Sequence, residues 1–131
     1  RALFDSQQYH KLNHSIVLPE ARLGALIKDQ LAGLDILDYG LTLEKGTFII
    51  GPNGCRLQWP LVAAYVLAMV TQSGASKISL VGFDGFSADD PRQEEMNDVF
   101  LKYTSLAEGL AITALTPSTY RIDQSSVFSP I

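Results

Sequence analysis

The chain is poor in the residues that carry most enzyme chemistry. It has one cysteine, Cys55, and two histidines, His10 and His14, among 131 residues. A lone cysteine excludes an internal disulfide and suits a reducing compartment, so a cytoplasmic location is expected. Lysine and arginine together number 10 against 14 aspartates and glutamates, for a net charge of -4. That balance argues against a nucleic-acid partner, which calls for a basic footprint. The apolar run Leu61–Val70 is too short for a membrane span, which takes roughly 20 residues, and reads instead as a buried helix. No signal-peptide pattern is visible. The phosphate-loop patterns GxxxxGK[ST] and GxGxxG are absent, as is HExxH. No nucleophile–base pair stands out, so no catalytic residue, no metal ligand and no cofactor is assigned. His10 and His14 have the i,i+4 spacing of a two-ligand metal site. They lack a carboxylate at a suitable offset and read as surface or cap residues.

What is present fits one ordinary globular domain over residues 1–131. Hydrophobic residues make up 47% and charged residues 18%, which allows a real core and excludes a disordered chain. Because the sequence begins at Arg1 and not at Met, it is expected to be a fragment of a longer protein.

The pattern along the chain alternates between strand and helix. Ser15–Leu18 reads as a short strand ended by Pro19, and Leu23, Leu26, Ile27 and Leu31 follow a helical face that stops at Gly33. Tyr39, Leu41 and Leu43 alternate as in a strand. Thr47–Ile50 is a strand signal, and Gly51-Pro52-Asn53-Gly54 is better read as a hairpin with an Asn-Gly turn than as a phosphate cradle. Pro60–Val70 is an apolar helix ending at Gly74. Lys77–Val81 reads as a buried strand. Asp90, Pro91 and Gln93 then give the spacing of an N-cap, a first-turn proline and a capping box. Met96, Val99, Phe100, Tyr103, Leu106 and Ala107 mark the inner face of the following helix, and Glu94, Glu95, Asp98 and Lys102 its outer face. Leu110–Leu115 is the last strand, and Asp123–Ile131 reads as a loose tail. This order predicts an α/β fold: a small, Rossmann-like, mostly parallel sheet with helices on its faces and a hairpin at one edge. Thr47–Ile50, Ile78–Val81 and Ala111–Leu115 are expected in one sheet, the last two parallel.

Candidate ligand-binding residues cluster after two of these strands. Gly82 and Gly85 let the chain turn around Asp84. Thr116, Ser118, Tyr120 and Arg121 follow the last strand. The carboxyl ends of parallel strands are where open α/β sheets meet ligands. Asp84 there suits sugar hydroxyls, or a divalent cation shared with Asp89 and Asp90. Arg92 or Arg121 would pair with Asp84 or clamp an anion. The structural alternative makes Asp84 a turn residue and Thr116–Arg121 an ordinary Thr-Pro turn. Cys55 reads as a buried, inert thiol.

The run KISLVGFDGFSADDPRQEEMNDVFLKY, with LVAAYVLAMVTQSGA before it and ALTPSTY after it, resembles the C-terminal region of bacterial aldolase-like proteins. These proteins are similar to 4-hydroxy-2-oxovalerate aldolases and hydroxymethylglutaryl-CoA lyases and occur with surface-polysaccharide genes. The likeness covers residues 47–121. It implies an accessory domain attached to an aldolase-like, metal-dependent barrel of the same parent chain. This chain has no HxH motif and is too short for such a barrel, which takes about 250 residues, so no catalytic residue carries over. The short run LVGFD is also similar to strand ends of Rossmann-like sialyltransferases. That likeness implies a sugar or nucleotide-sugar ligand. A dimerisation or docking domain, forming a homo-oligomer and holding no ligand, is the alternative.

Overall fold

The computed structural model describes residues 14–129. His10 lies outside that range, and His14 is exposed at its start. Strand β1 (Ile16–Leu18) ends at Pro19, whose missing N–H cannot extend a ladder. A 3-10 turn (Glu20–Arg22) leads to helix α1 (Ala25–Gln30), and β2 (Ile36–Asp38) then lies parallel to β1 with Ile16 opposite Ile36. Ser15 donates to the Asp35 carboxylate and closes that end of the pair.

A second sheet follows at once. β3 (Gly40–Leu43) pairs in parallel with β5 (Gly54–Leu57), while β4 (Phe48–Ile50) runs antiparallel to β5. The β4–β5 connection is a hairpin as expected, but its tip is Pro52-Asn53 and not Asn53-Gly54: the N–H of Gly51 donates to the carbonyl of Gly54 at 2.9 Å, and Gly54 is already the first residue of β5. Helix α2 (Val62–Gln72) starts two residues later than the proline suggests, with Leu61 as its cap. It carries no charged residue, and Ala64, Tyr65, Leu67 and Ala68 are buried.

The third sheet contains β6 (Ile78–Leu80), β7 (Ile112–Ala114) and β8 (Asp123–Gln124), all parallel, with β7 in the middle. Helix α3 (Pro91–Thr104) connects β6 to β7. Asp90 caps α3 by accepting from the N–H of Arg92, and Pro91 takes the first position, where a missing N–H costs nothing.

The fold is therefore mixed α/β, with three short sheets and, among the described residues, three α-helices. Three expectations are corrected here. Thr47–Ile50 does not share a sheet with Ile78–Val81 and Ala111–Leu115. The hairpin folds β4 back on β5, and β3 occupies the other edge of β5. The Lys77–Val81 strand is not buried: β6 is an edge strand, with Ile78 and Leu80 half-buried and Ser79 and Val81 exposed. The tail is not wholly loose, because Asp123 and Gln124 add a strand beside β7.

One core joins the second and third sheets through α2 and α3. It includes Phe48, Leu57, Leu67, Ala68, Val99, Phe100, Tyr103 and Ile112. Tyr103, Phe100 and Leu57 are the largest fully buried side chains, and burying each contributes about 1.5–3 kcal/mol. The Phe48 ring meets the Tyr103 ring edge-on at 5.7 Å, fastening β4 to α3. The Tyr103 hydroxyl accepts from the N–H of Leu110 and lies 2.7 Å from the Thr71 hydroxyl. Thr71 spends its own proton on the Leu67 carbonyl, so Tyr103 donates to Thr71. Among the described residues, no helix is long and apolar enough to cross a membrane.

Candidate functional site

The carboxyl ends of β6 and β7 lie side by side because the two strands are parallel and in register, Ile78 opposite Ile112 and Leu80 opposite Ala114. The turns that follow them meet. The N–H of Gly82 donates to Thr116 Oγ1 at 2.9 Å. The carbonyl of Asp84 accepts twice from Thr119, from its N–H at 2.8 Å and from its hydroxyl at 3.0 Å. Positive φ angles at Gly82 (76°) and Gly85 (101°) make this path possible. At Gly85 a side chain is also excluded by space, since a Cβ would stand 2.0 Å from Thr119 Oγ1.

Gln93 locks the two turns from behind. Its side chain is buried, its Oε1 accepts from the N–H of Phe86 at 2.8 Å, and its Nε2 donates to the carbonyl of Thr119 at 3.0 Å. The capping-box expectation is thus corrected. Gln93 does not turn back to the N–H of Asp90, which donates to Ser87 instead.

The result is a shallow hollow of about 330 Å³ lined by Gly82, Phe83, Asp84, Gly85, Phe86 and Tyr120. The Tyr120 ring is buried and leans on Phe100 at 5.4 Å between centroids. Burial raises the pKa of its phenol, opposed in part by Arg92, so Tyr120 offers a neutral hydroxyl. Asp84 is exposed, and among the described residues nothing hydrogen-bonds its carboxylate. Its turn is held entirely through its backbone.

Of the residues singled out in the sequence, Gly82, Asp84, Gly85 and Tyr120 line this hollow, and Thr116 braces it. Ser118 and Arg121 do not line it. Ser118 Oγ accepts from the N–H of Tyr120 within the turn, at 3.2 Å. Arg121 reaches Glu94 at 2.9 Å, and its N–H donates to Asn97 Oδ1. Arg92 also turns away from Asp84. It clasps Asp90 through Nε and Nη2, the latter at 2.6 Å, and lies 4.1 Å over the Phe86 ring. Those hydrogen bonds hold the Asp90 carboxyl below its ordinary pKa. Among the described residues, no three His, Cys, Asp or Glu side chains gather as a metal site. Sequence reasoning missed Gln93 and Phe86. The signal for Gln93 is its helical spacing: three and four residues before Met96 and Asn97, it shares their buried face.

Cys55 is buried, and burial pushes its thiol up to about 11, as expected of an inert cysteine.

A larger apolar groove, about 520 Å³, runs between α2 and β6. Its walls are Val62, Val66 and Val70 on one side and Ile78, Leu80 and Phe83 on the other. Val62 is 79% exposed and Val66 40%.

Compared with known proteins, the chain matches no family model, no curated protein and no solved structure.

Proposed function

We propose that the chain is an accessory domain that binds a small polyhydroxylated ligand, a sugar or a nucleotide sugar, in the hollow between the β6 and β7 ends. In this reading β6, α3, β7 and β8 form a Rossmann-like half-sheet, and the ligand sits at its carboxyl edge. The observation that carries the reading is the exposed carboxylate of Asp84. Its backbone is fixed by Thr119 while the carboxylate itself has no structural task among the described residues. Such a group has its backbone placed in advance and its carboxylate oxygens left over to accept hydrogen bonds from hydroxyls. Tyr120 adds a neutral hydroxyl, and Phe83 and Phe86 add apolar surface for a sugar face. The likeness of the GFDG and DDPRQ segments to aldolase-like proteins of polysaccharide-precursor metabolism supports the wider setting. There a barrel elsewhere in the parent chain performs the aldol chemistry and this domain serves it.

The test is calorimetric titration of the wild type and Asp84→Asn with free sugars and nucleotide sugars, with and without Mg²⁺. Asn keeps the size and one acceptor but loses the charge. Binding by the wild type, weakened in Asp84→Asn with an unchanged melting profile, is the expected result. Absence of binding to any of these compounds removes the basis of the proposal.

A further inference from the structure

We infer that the hollow takes its sugar uncharged, because the Asp90 carboxylate of the chain itself fills the seat that a ligand phosphate would need. The inference rests on the sugar-binding reading above and narrows its ligand class from sugars and nucleotide sugars to neutral sugars. In nucleotide-binding α/β sheets the phosphate rests on N–H groups at the start of the helix after the first strand. In this half-sheet that helix is α3, following β6. Its start is already engaged. Pro91 has no N–H to offer. The N–H of Arg92 donates to Asp90 Oδ1 at 2.9 Å, and the N–H of Gln93 donates to the Asp90 carbonyl at 2.9 Å. A charged carboxylate therefore stands at the positive end of the helix dipole, where a phosphate would otherwise be drawn.

The two arginines beside the hollow are engaged as well. Arg92 lies against its wall, over the Phe86 ring. Its guanidinium donates to both oxygens of Asp90, from Nε to Oδ1 at 3.0 Å and from Nη2 to Oδ2 at 2.6 Å. This two-point grip is also the one with which arginine holds a phosphate. Arg121, next to Tyr120, is paired with Glu94 at 2.9 Å. Lys77 precedes β6 and so stands at the end of the strand away from the hollow. Among the described residues, no cation lines the hollow itself. The charge left over there is that of Asp84, with exposed Asp89 on the segment leading to α3. An arriving phosphate meets like charge and no partner. A neutral sugar meets the same Asp84 carboxylate as an acceptor for its hydroxyls, beside the apolar surface of Phe83 and Phe86. One arrangement thus repels the anion and receives the polyol.

The experiment is calorimetric titration of the full chain with matched probes. These are free hexoses and N-acetylhexosamines, the same sugars carrying a phosphate on the anomeric oxygen, and their uridine-diphosphate forms. Each is run at low and high salt, with and without Mg²⁺. The free sugars are expected to bind, and both phosphorylated forms to bind at least tenfold more weakly. High salt screens exposed charges and should narrow that gap. Asp90→Asn keeps a cap acceptor, removes the charge and releases Arg92. It should narrow the gap at least threefold while leaving the affinity for free sugars unchanged within twofold. If Asp90→Asn fails to fold, the salt dependence of the wild type decides. A phosphorylated form that binds as tightly as its free sugar, with or without Mg²⁺, overturns the inference and leaves the sugar site standing. A gap indifferent to salt, or to Asp90→Asn in a folded variant, overturns it too and assigns the discrimination to shape. If no probe binds, the sugar-binding reading falls and this inference falls with it.

Discussion

Gln93 and Thr119 are 26 residues apart, yet a hydrogen bond of 3.0 Å from the Gln93 amide to the Thr119 carbonyl joins α3 to the turn after β7. The same amide, through its oxygen, holds the N–H of Phe86. One buried side chain therefore sets the spacing of the two loops that form the hollow.

Replacing Gln93 with Leu should cost about 1–3 kcal/mol, because the Phe86 N–H and the Thr119 carbonyl are each left without a partner. Urea unfolding measures this. A loss below a few tenths of a kcal/mol would mean that water replaces the amide and that the brace is dispensable.

Gly85→Ala should destabilise more than Gly82→Ala. Both glycines have positive φ, which costs a side-chain-bearing residue about 1–2 kcal/mol. Only at Gly85 does the new methyl also run into Thr119. Paired thermal melts decide the order, and equal losses would show that Thr119 moves aside freely.

Leu57→Ala should cost about 2–5 kcal/mol, the range for a filled core position that becomes a cavity. Leu57 is 1% exposed, whereas Leu80 is only half-buried on an edge strand. Leu80→Ala should therefore be the milder of the two in denaturant melts of monomeric protein.

Stability should fall at alkaline pH through Cys55 and Tyr65. Burial raises the thiol from 9.0 to about 11 and the Tyr65 phenol from 10.0 to about 12. The fold favours the protonated forms. Their contribution is therefore whole below pH 9.0 and is lost as pH rises through about 11 and about 12. Circular dichroism should hold a plateau to pH about 9, and a thiol reagent should modify Cys55 only as that plateau breaks. Tyr65→Phe loses the 2.5 Å hydrogen bond to the Tyr39 carbonyl, a loss of about 0.5–1.5 kcal/mol at neutral pH.

At the acid end Asp90 has the opposite sign. Its pKa is lowered by Arg92, so its contribution is present above the ordinary carboxylate range and fades as pH falls through that range and below. Asp90→Asn keeps a cap acceptor and loses the ion pair. The gap in melting temperature between wild type and variant should close on acidification, and a gap that persists at low pH would assign the effect to capping geometry alone.

Local signals were the legible part of this fold. Asp90-Pro91 announced the start of α3, Asn53-Gly54 announced the hairpin though the chain turns one residue earlier, and the Ile78 and Ile112 strands were readable as a parallel pair from the helix between them. The partition into three sheets was not legible, because it depends on which strand takes the free edge of β5, a choice between segments distant in sequence. The uncharged run Ile78–Val81 looked like core, but its exposure follows from its place in the strand order. At the site, Asp84 and Thr116 could be placed from the strand ends that precede them. Gln93 shares the helical spacing of the buried Met96 and Asn97, but its capping-box position signals a solvated cap just as well, and its tertiary partners decide between the two. Arg121 was misplaced for a similar reason: Glu94, on the α3 surface, competes for it successfully.

The hydrogen bonds around Tyr103 run in one direction, from Leu110 N–H to the phenol, to Thr71, to the Leu67 carbonyl. The Leu110 amide, two residues before β7, is thus wired to the last turns of α2 through a residue of α3. Releasing that amide takes from the buried phenol the hydrogen bond it accepts, while its donation to Thr71 remains, so fraying just before β7 carries a cost. Deuterium uptake at Leu110 should follow the opening of the whole α2–α3–β7 unit, making this single amide a gauge of whether that unit is one cooperative block.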